Sequence, residues 1–423
     1  MSSSCRRLYA ALGAGALLGL TAKAPASNWN FVPRLEAGGT YNDNFRLAES
    51  SADKTQVYGP YIDASLDAGL LTQLSKLDIV PRVHSTYFPS DTADESTDGY
   101  IDIDAEHRTL KSDFTLLAHY ANESVIFSEL LPATFPGVAL GQVVGGESGR
   151  VATRNRRQLE QVEPGFTHDL TQRSHLDLDA KFDRATFDKS EVQQVGFTNY
   201  RGQAGWRYDI TPRQDVKIDG IVGRFVPQSG GHDTNRYGAE VQWDTQPTEI
   251  MRLYMRVGAE KTDASTSIGT IGKTAVTGGA GAVWNYQLTQ VVLDVLRGIS
   301  PSAAGAEVTN DELRFRVLHA FRPRFSGYVA VRGVRLRGAA SQRVIAIQGE
   351  DYVAGEAGVE YQITQSYRIA VAYDYTWQRF QAEPSAASNA ARLSVIYQPL
   401  NRFEPLPEFT GVPQGLAQDI QEP

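Results

Sequence analysis

The sequence contains very little cysteine and methionine and no long run of hydrophobic residues. Its 423 residues include one cysteine, Cys5, and three methionines. A chain with no second cysteine has no disulfide framework and no cysteine-based metal site. After the first thirty residues, no stretch approaches the roughly 18 to 20 consecutive apolar residues that a membrane-spanning helix needs. These absences exclude a helical membrane protein and the enzymes that depend on clustered thiols.

The first 26 residues have the features of an export signal. Arg6 and Arg7 form a charged segment, residues 8–21 are apolar, and residues 24–26 (Ala-Pro-Ala) form a cleavage site of small residues. This order of segments predicts a secretory signal peptide over residues 1–26. We therefore expect the mature chain to begin near Ser27 and to contain no thiol.

Basic residues are scarcer than acidic ones in the mature chain. Without Arg6, Arg7 and Lys23 it contains 38 basic and 49 acidic residues, which is a net charge of −11. Proteins that bind nucleic acid usually present a basic surface to the phosphates. We therefore expect no nucleic-acid partner.

Apolar and polar residues alternate with a period of two through the mature chain. In residues 174–183, leucine, alanine and phenylalanine alternate with histidine, aspartate and lysine. The same alternation recurs in residues 101–108, 251–260 and 367–375. A period of two is typical of β-strands that have one apolar face and one polar face.

The alternating segments are separated by connections that are, one after another along the chain, a short turn and a longer polar loop. The short turns lie near residues 72, 110, 171, 211, 247, 289, 323 and 364. The longer connections lie near residues 45–54, 89–97, 126–155, 188–193, 228–234, 263–272, 300–310, 338–349 and 381–389. This alternation of short turns and longer connections predicts an all-β, transmembrane up-and-down antiparallel barrel of about 18 strands over residues 27–400. The short turns would be periplasmic and the longer loops extracellular. Residues 401–423 are rich in Pro, Glu and Gln, which predicts a disordered tail.

A soluble β-sandwich or propeller is the alternative, because its strands also alternate. Soluble sheets would have shorter hairpins and more irregular connections, whereas the segments here have about 10 to 16 residues, enough for a tilted strand to cross a bilayer. Aromatic residues also recur beside the short turns, as in the girdle at a membrane interface. They are Trp206, Tyr208, Trp243, Trp284, Tyr286, Tyr361, Tyr367 and Tyr397. Both observations favour an outer-membrane barrel.

The opening segment of the mature chain resembles a known family. The residues that carry the resemblance are Pro33, Tyr41, Asp43, Asn44 and Leu47. The segment is similar to the start of an outer-membrane β-barrel porin family found beside exopolysaccharide-export and PEP-CTERM (exosortase) systems in Gram-negative bacteria. The strand pattern matches over nearly the whole mature chain, although the tail beyond Tyr397 departs from barrels that end on an aromatic residue. The resemblance implies a place in outer-membrane lipid, with polysaccharide or exopolysaccharide-export components as partners.

The polar faces of the strands are the candidate lining of a channel. A barrel of about 18 strands leaves an aqueous lumen, whereas eight strands fill with side chains. Both signs of charge occur, so the sequence predicts no preference for anions or cations. The basic candidates are Arg201, Arg207, Arg252, Arg256, Arg314, Arg316, Arg332 and Arg368, and the acidic candidates are Asp177, Asp179, Asp209, Asp215 and Asp219. The other interpretation is that these charges pair with one another and hold the wall together.

The longest connection, residues 126–156, contains prolines, glycines and a cluster of arginines. Long ordered loops tend to be functional, and in porins one such loop commonly folds into the lumen. We therefore expect a constriction loop, with Arg150, Arg154 and Arg156 as its candidate residues. An extracellular flap that only covers the mouth is the alternative.

The sequence contains no recognisable catalytic or metal-binding arrangement. The seven histidines lie on separate predicted strands, and neither an HExxH nor a GxSxG motif occurs. We expect no enzymatic activity, no metal and no cofactor. The predicted function is a porin-like channel for the passive passage of polar solutes or for the export of a secreted saccharide. The alternative is a non-conducting structural or assembly component of an exopolysaccharide or other secretion system.

Overall fold

A computed structural model shows eighteen antiparallel β-strands closed into one barrel within the described part of the chain. The structure describes residues 29–126, 155–188, 194–229, 232–266, 269–303, 305–338, 349–380 and 384–399. The predicted signal peptide and the predicted tail lie outside these ranges. No α-helix within them is long and apolar enough to cross a membrane.

The strands follow one another along the chain. They are β1 (Trp29–Asn42), β2 (Val57–Leu71), β3 (Ser75–Thr86), β4 (Ser96–Arg108), β5 (Ser112–Ser124), β6 (Arg156–Thr171), β7 (Ser174–Phe187), β8 (Phe197–Thr211), β9 (Gln214–Pro227), β10 (Thr234–Thr248), β11 (Met251–Thr266), β12 (Gly269–Tyr286), β13 (Thr289–Ser302), β14 (Ala306–Arg322), β15 (Phe325–Gly338), β16 (Glu350–Gln362), β17 (Tyr367–Phe380) and β18 (Ser385–Tyr397). A short 3-10 helix, Thr92–Asp94, precedes β4.

Each strand pairs with its neighbours in sequence, and the first strand pairs with the last. The closing register runs from Leu35 opposite Tyr397 to Asn42 opposite Ala390. Closure gives every strand a neighbour on both sides, which is how a barrel avoids the edge-to-edge association of open sheets. The predicted fold class and the predicted number of strands are confirmed.

The alternation in the sequence separates an apolar outer face from a polar inner face. On β17, for example, Val371 is 47% exposed on the outside, while its neighbour in sequence, Ala370, faces the interior beside Glu360. The rings Trp206, Trp284 and Tyr361 also lie exposed on the outer face near the short turns. A continuous apolar exterior of this extent is unfavourable in water.

A threonine recurs at the short turns and fixes their geometry. Thr72 and Thr109 each bond through Oγ1 to the backbone three residues later, Thr72 to Ser75 and Thr109 to Ser112. Thr364 accepts a bond from the Tyr367 N–H at 3.1 Å in the same way. Such side-chain bonds offer the backbone a turn in place of a continued strand. The turns therefore stop the strands at one end of the barrel.

Three of the predicted long connections are shorter than the sequence suggested. β11 runs to Thr266 and β12 begins at Gly269, so the connection predicted over residues 263–272 is mostly strand. The predicted connection over residues 300–310 is the tip of the β13–β14 hairpin. The predicted connection over residues 381–389 ends early, because β18 already begins at Ser385. Polar residues were the signal for these connections, but polar strands persist where a hairpin extends past the apolar band.

The segment that carries the family resemblance closes the barrel. Asn44 is fully buried and donates to the carbonyl oxygens of Ala48 and Ala387, both at 2.9 Å. Asp43 accepts bonds from the backbone and side chain of Asn389, both at 2.7 Å. Each partner beyond residue 380 lies at the start of β18, so these bonds join the two ends of the sheet. Two residues of the motif, Asp43 and Asn44, therefore help to close the barrel.

Candidate functional site

The inner wall of the barrel is the candidate site, because the charged faces of the strands point to the interior. The thirteen predicted lining residues all lie on the inward-facing side by strand parity. For example, Arg314 and Arg316 alternate with the outward Leu313 on β14, and Asp177 alternates with the outward Leu178 on β7. The period of two assigned these residues to one face without any knowledge of the register.

Most of these charges have a partner of opposite sign within 4.0 Å. Arg201 pairs with Glu260, Arg256 with Glu240, and Arg368 with Glu360. Arg368 also donates to Gln398 Oε1 at 2.7 Å. The Arg256–Glu240 and Arg368–Glu360 pairs join neighbouring strands, whereas Arg201 on β8 reaches Glu260 on β11. Pairing of this kind is what the second interpretation of the sequence supposed. Their role as channel lining stays a prediction.

A network around Asp177 joins strands β6 to β9. Asp177 lies 3.7 Å from both Arg207 and Lys217 and accepts a bond from Thr167 Oγ1 at 2.8 Å. Lys217 also lies 3.3 Å from Asp219 and 3.7 Å from Asp179. The single positive charge of Lys217 therefore offsets only part of the negative charge of three carboxylates. This stretch of wall presents an excess of negative charge among its members.

A second network on β13–β15 is almost completely buried. Glu312 accepts from Arg314 at 2.8 Å and pairs with Arg332 at 2.6 Å. Arg314 also donates to Asp294 at 3.3 Å. The four side chains are at most 2% exposed. Ion pairs removed from water to this extent must keep all their partners, because a single uncompensated charge is costly.

The remaining predicted lining residues lie at or near the short-turn end. Asp209 is 3.0 Å from His175, which also contacts Asp169. Asp215 lies opposite Asp209 on one side and Asp244 on the other. Arg252 lies on the inner face of β11, and Arg316 donates to Gln290 Oε1 at 3.3 Å. These residues do not converge on one point.

The predicted constriction loop falls mostly outside the described residues, including Arg150 and Arg154. Arg156 is described, and it begins β6 at the end of the barrel opposite the short turns. Its guanidinium donates to Asn122 Oδ1 and to the Thr97 carbonyl, and lies 3.2 Å from Asp98. These contacts join Arg156 to the rims of β4 and β5.

A constriction that the sequence did not predict comes from the β13–β14 hairpin. Arg236 on β10 donates to the Ile299 carbonyl at 3.1 Å and lies 3.2 Å from Glu307, although β11 and β12 separate β10 from β13. The Val195 N–H, in the β7–β8 connection, donates to the Ala303 carbonyl at 2.7 Å. The hairpin tip therefore leans inward from the wall towards β8–β10.

Glycine permits the turn at the hairpin tip. Gly305 has φ +77°, a conformation that a residue with a Cβ rarely adopts. Its N–H donates to the Ser302 carbonyl at 3.0 Å. A Cβ at this position would lie 3.1 Å from Cβ of Val195. Backbone conformation and close packing both require glycine where the hairpin meets the β7–β8 connection.

Within the described ranges, no group of three His, Asp or Glu side chains is arranged to hold a metal ion. The histidines instead contact one or two nearby carboxylates or hydroxyls, as His175 contacts Asp169 and Asp209. His84 lies 3.1 Å from Asp63, and His119 lies 2.6 Å from Asp102. These are local contacts between neighbouring strands.

Comparison with known proteins finds similar solved barrels but no family assignment. No family model matches the chain, and no curated protein matches it. The structure of OccK2 (OpdF) from Pseudomonas aeruginosa has 10% sequence identity and a TM-score of 0.45, covering 87% of this chain and 98% of that one. The outer membrane protein opdK from Pseudomonas aeruginosa has 12% identity and a TM-score of 0.43, with 87% and 98% covered. The FrpB iron transporter from Neisseria meningitidis has 8% identity and a TM-score of 0.42, with 87% and 82% covered.

Proposed function

We propose that this chain is an outer-membrane channel for the passive passage of polar solutes or for the export of a secreted saccharide. One observation carries the proposal, namely a closed ring of eighteen strands with an apolar outer face and a charged inner face. An apolar exterior suits hydrocarbon, and a ring of this size is wide enough for an aqueous lumen. The export signal predicted for residues 1–26 directs such a chain out of the cytoplasm.

The test of the channel is single-channel conductance of the refolded protein in planar bilayers at two salt concentrations. We expect steady conductance steps that grow with salt concentration, because ions would cross a water-filled lumen. Neutral oligosaccharides added to one side should reduce the conductance if a saccharide fits the lumen. A folded barrel that stays silent would contradict the channel.

Membrane placement predicts opposite outcomes for two lysines introduced one residue apart. Val371→Lys puts a charge on the outer face near the middle of β17 and should destabilise the folded barrel in lipid by about 2 to 4 kcal/mol. Ala370→Lys places the same charge on the inner face beside Glu360 and should change stability much less. Denaturant titration of both variants in phospholipid vesicles measures the difference. Equal effects would contradict a lipid-facing exterior.

A non-conducting structural role in a secretion system is the second candidate, and the β13–β14 hairpin favours it. The hairpin tip is held against β10, inside the ring, by ion pairs of Arg236 with Glu260 and Glu307. All three side chains are at most 4% exposed. A barrel whose mouth is narrowed in this way would pass little solute. The same conductance experiment separates the two candidates.

A further inference from the structure

Two neighbouring strands separate at the end of the barrel opposite the short turns. The register between β12 and β13 runs from Tyr286 opposite Thr289 to Gly278 opposite Arg297. Beyond that point β12 continues to Gly269 in register with β11, while β13 continues to Ser302 in register with β14. The described residues show no β12–β13 pairing above Gly278. The barrel wall therefore forks at this level.

A row of alternating charges begins at the fork and crosses five strands on the outer face. Arg297, Asp311, Arg335, Asp351 and Arg379 lie directly opposite one another from β13 to β17. We call these five residues the outer charge row. The row of outward residues next to it, towards the short turns, is apolar and consists of Val295, Leu313, Gly333, Val353 and Trp377.

The arginines of the outer charge row have more N–H donors than the two aspartates of the row engage. Asp351 accepts from Arg335 at 2.5 Å and from Arg379 at 2.8 Å, and Asp311 lies 3.2 Å from Arg297. Each of the three arginine side chains is still about half exposed, at 49% to 53%. A guanidinium has five N–H donors and binds oxyanions in a forked geometry. Three arginines against two aspartates leave a net positive charge.

The outer charge row and the apolar row beneath it line one groove of about 760 Å³. Gly333 lies in its apolar row between Leu313 and Val353, and a Cβ added there would meet no atom within 4 Å. The Arg379 guanidinium lies 5.7 Å from the centre of the Trp377 ring, an arrangement that orients the arginine. The groove thus combines an apolar floor with a cationic edge.

The fork places this groove at the boundary of the hydrocarbon layer. Open sheet edges do not occur in hydrocarbon, because unpaired backbone groups cannot be hydrated there. Gly278 lies eight residues along β12 from Tyr286 of the aromatic girdle. At a rise of about 3.3 Å per residue and a tilt of about 40°, this is roughly 20 Å, close to the height of an outer-membrane apolar band. The charged edge then lies where lipid headgroups begin.

We propose that this groove binds the phosphorylated headgroup of a glycolipid in the outer leaflet of the outer membrane. The arginines would donate to phosphate oxygens, and the apolar row with Trp377 would contact the upper acyl chains. Exposed Arg337, two residues beyond Arg335 on the same outward face of β15, adds positive charge beside the groove. Basic clusters at this depth are a recurring way to recognise anionic lipid. The proposal rests on the outer-membrane placement proposed above but not on conductance.

The test is lipid binding by the full-length barrel in detergent micelles, measured by native mass spectrometry with bis-phosphorylated lipid A. We expect Arg335→Gln/Arg379→Gln to lower the affinity about tenfold, because two charge-assisted phosphate contacts are lost.

Arg224→Gln is the matched control. Arg224 is an outward arginine on β9 with 59% exposure, and it pairs with Asp233 at 2.9 Å. This variant should bind like the original protein.

Four results would overturn the proposal. The first is equal affinity of the double variant and the control, with both shown to be folded by circular dichroism. The second is equal binding of lipid A from which the phosphates have been removed. The third is full competition by inorganic phosphate at the same concentration. The fourth is a lipid-free oligomer that dissociates in the double variant, since the groove would then be an interface between copies of the chain. A silent channel leaves all four readouts intact.

Discussion

Replacing Glu312 by alanine is expected to destabilise the folded barrel by about 3 to 5 kcal/mol, because it leaves two buried arginines without their shared carboxylate. Glu312 contacts both Arg314 and Arg332, and all three side chains are at most 2% exposed. The measurement is guanidinium-induced unfolding in detergent micelles, followed by the fluorescence of the five tryptophans.

Glu160→Ala provides the matched control for this prediction. Glu160 pairs with Arg184 at 4.0 Å on the outer face, where the two side chains are 38% and 50% exposed. An exposed pair of this kind contributes about 1 kcal/mol or less. If Glu312→Ala proved as mild as Glu160→Ala, water would have to reach the β13–β15 network, and its burial would not describe the protein in solution.

Shortening the β13–β14 hairpin is expected to raise the channel conductance roughly twofold, because two strands about 10 Å wide would no longer cross the mouth. Gly298 and Asn310 already pair across the two strands. Replacing residues 299–309 by Asn-Gly therefore joins them through a two-residue turn that suits a hairpin. Single-channel recording in planar bilayers, at equal salt concentration for both proteins, measures the change.

Two point variants separate the effect of the hairpin from a general effect on the wall. Arg236→Ala removes the contacts with Glu307 and with the Ile299 carbonyl, so it should raise the conductance in the same direction but by less. Arg224→Ala removes an ion pair with Asp233 on the outer face of β9 and should leave the conductance near its original value. Unchanged conductance in the shortened barrel would show that the hairpin does not narrow the channel.

The fold was predictable because its signal is local. Each strand shows its two faces within about ten residues, as in residues 174–183, and the threonine turns at Thr72 and Thr109 punctuate the strands with short sequences. A period of two has the same meaning in any antiparallel wall, so the inward placement of Arg314 and Asp177 required no register. The number of strands followed from counting the turns.

Pairing within the wall was not predictable to the same degree. Glu312 and Arg314 are two residues apart, but their joint contact with Asp294 and Arg332 depends on which residues of β13 and β15 lie opposite β14. A shift of two residues in either register keeps every side chain on its face and changes every partner. The sequence therefore indicated charged lining without indicating which charges are buried together.

What the sequence by itself determined was the architecture: closed antiparallel strands, an apolar exterior and a charged interior. The tertiary structure alone decided where β12 and β13 part, how the β13–β14 hairpin leans towards Arg236, and that Arg297 and Arg379, more than eighty residues apart, belong to one outer charge row. The physical reason is range. Alternation follows from the geometry of a single strand, whereas a fork, a bent hairpin and a row across five strands exist only after distant segments have found their register.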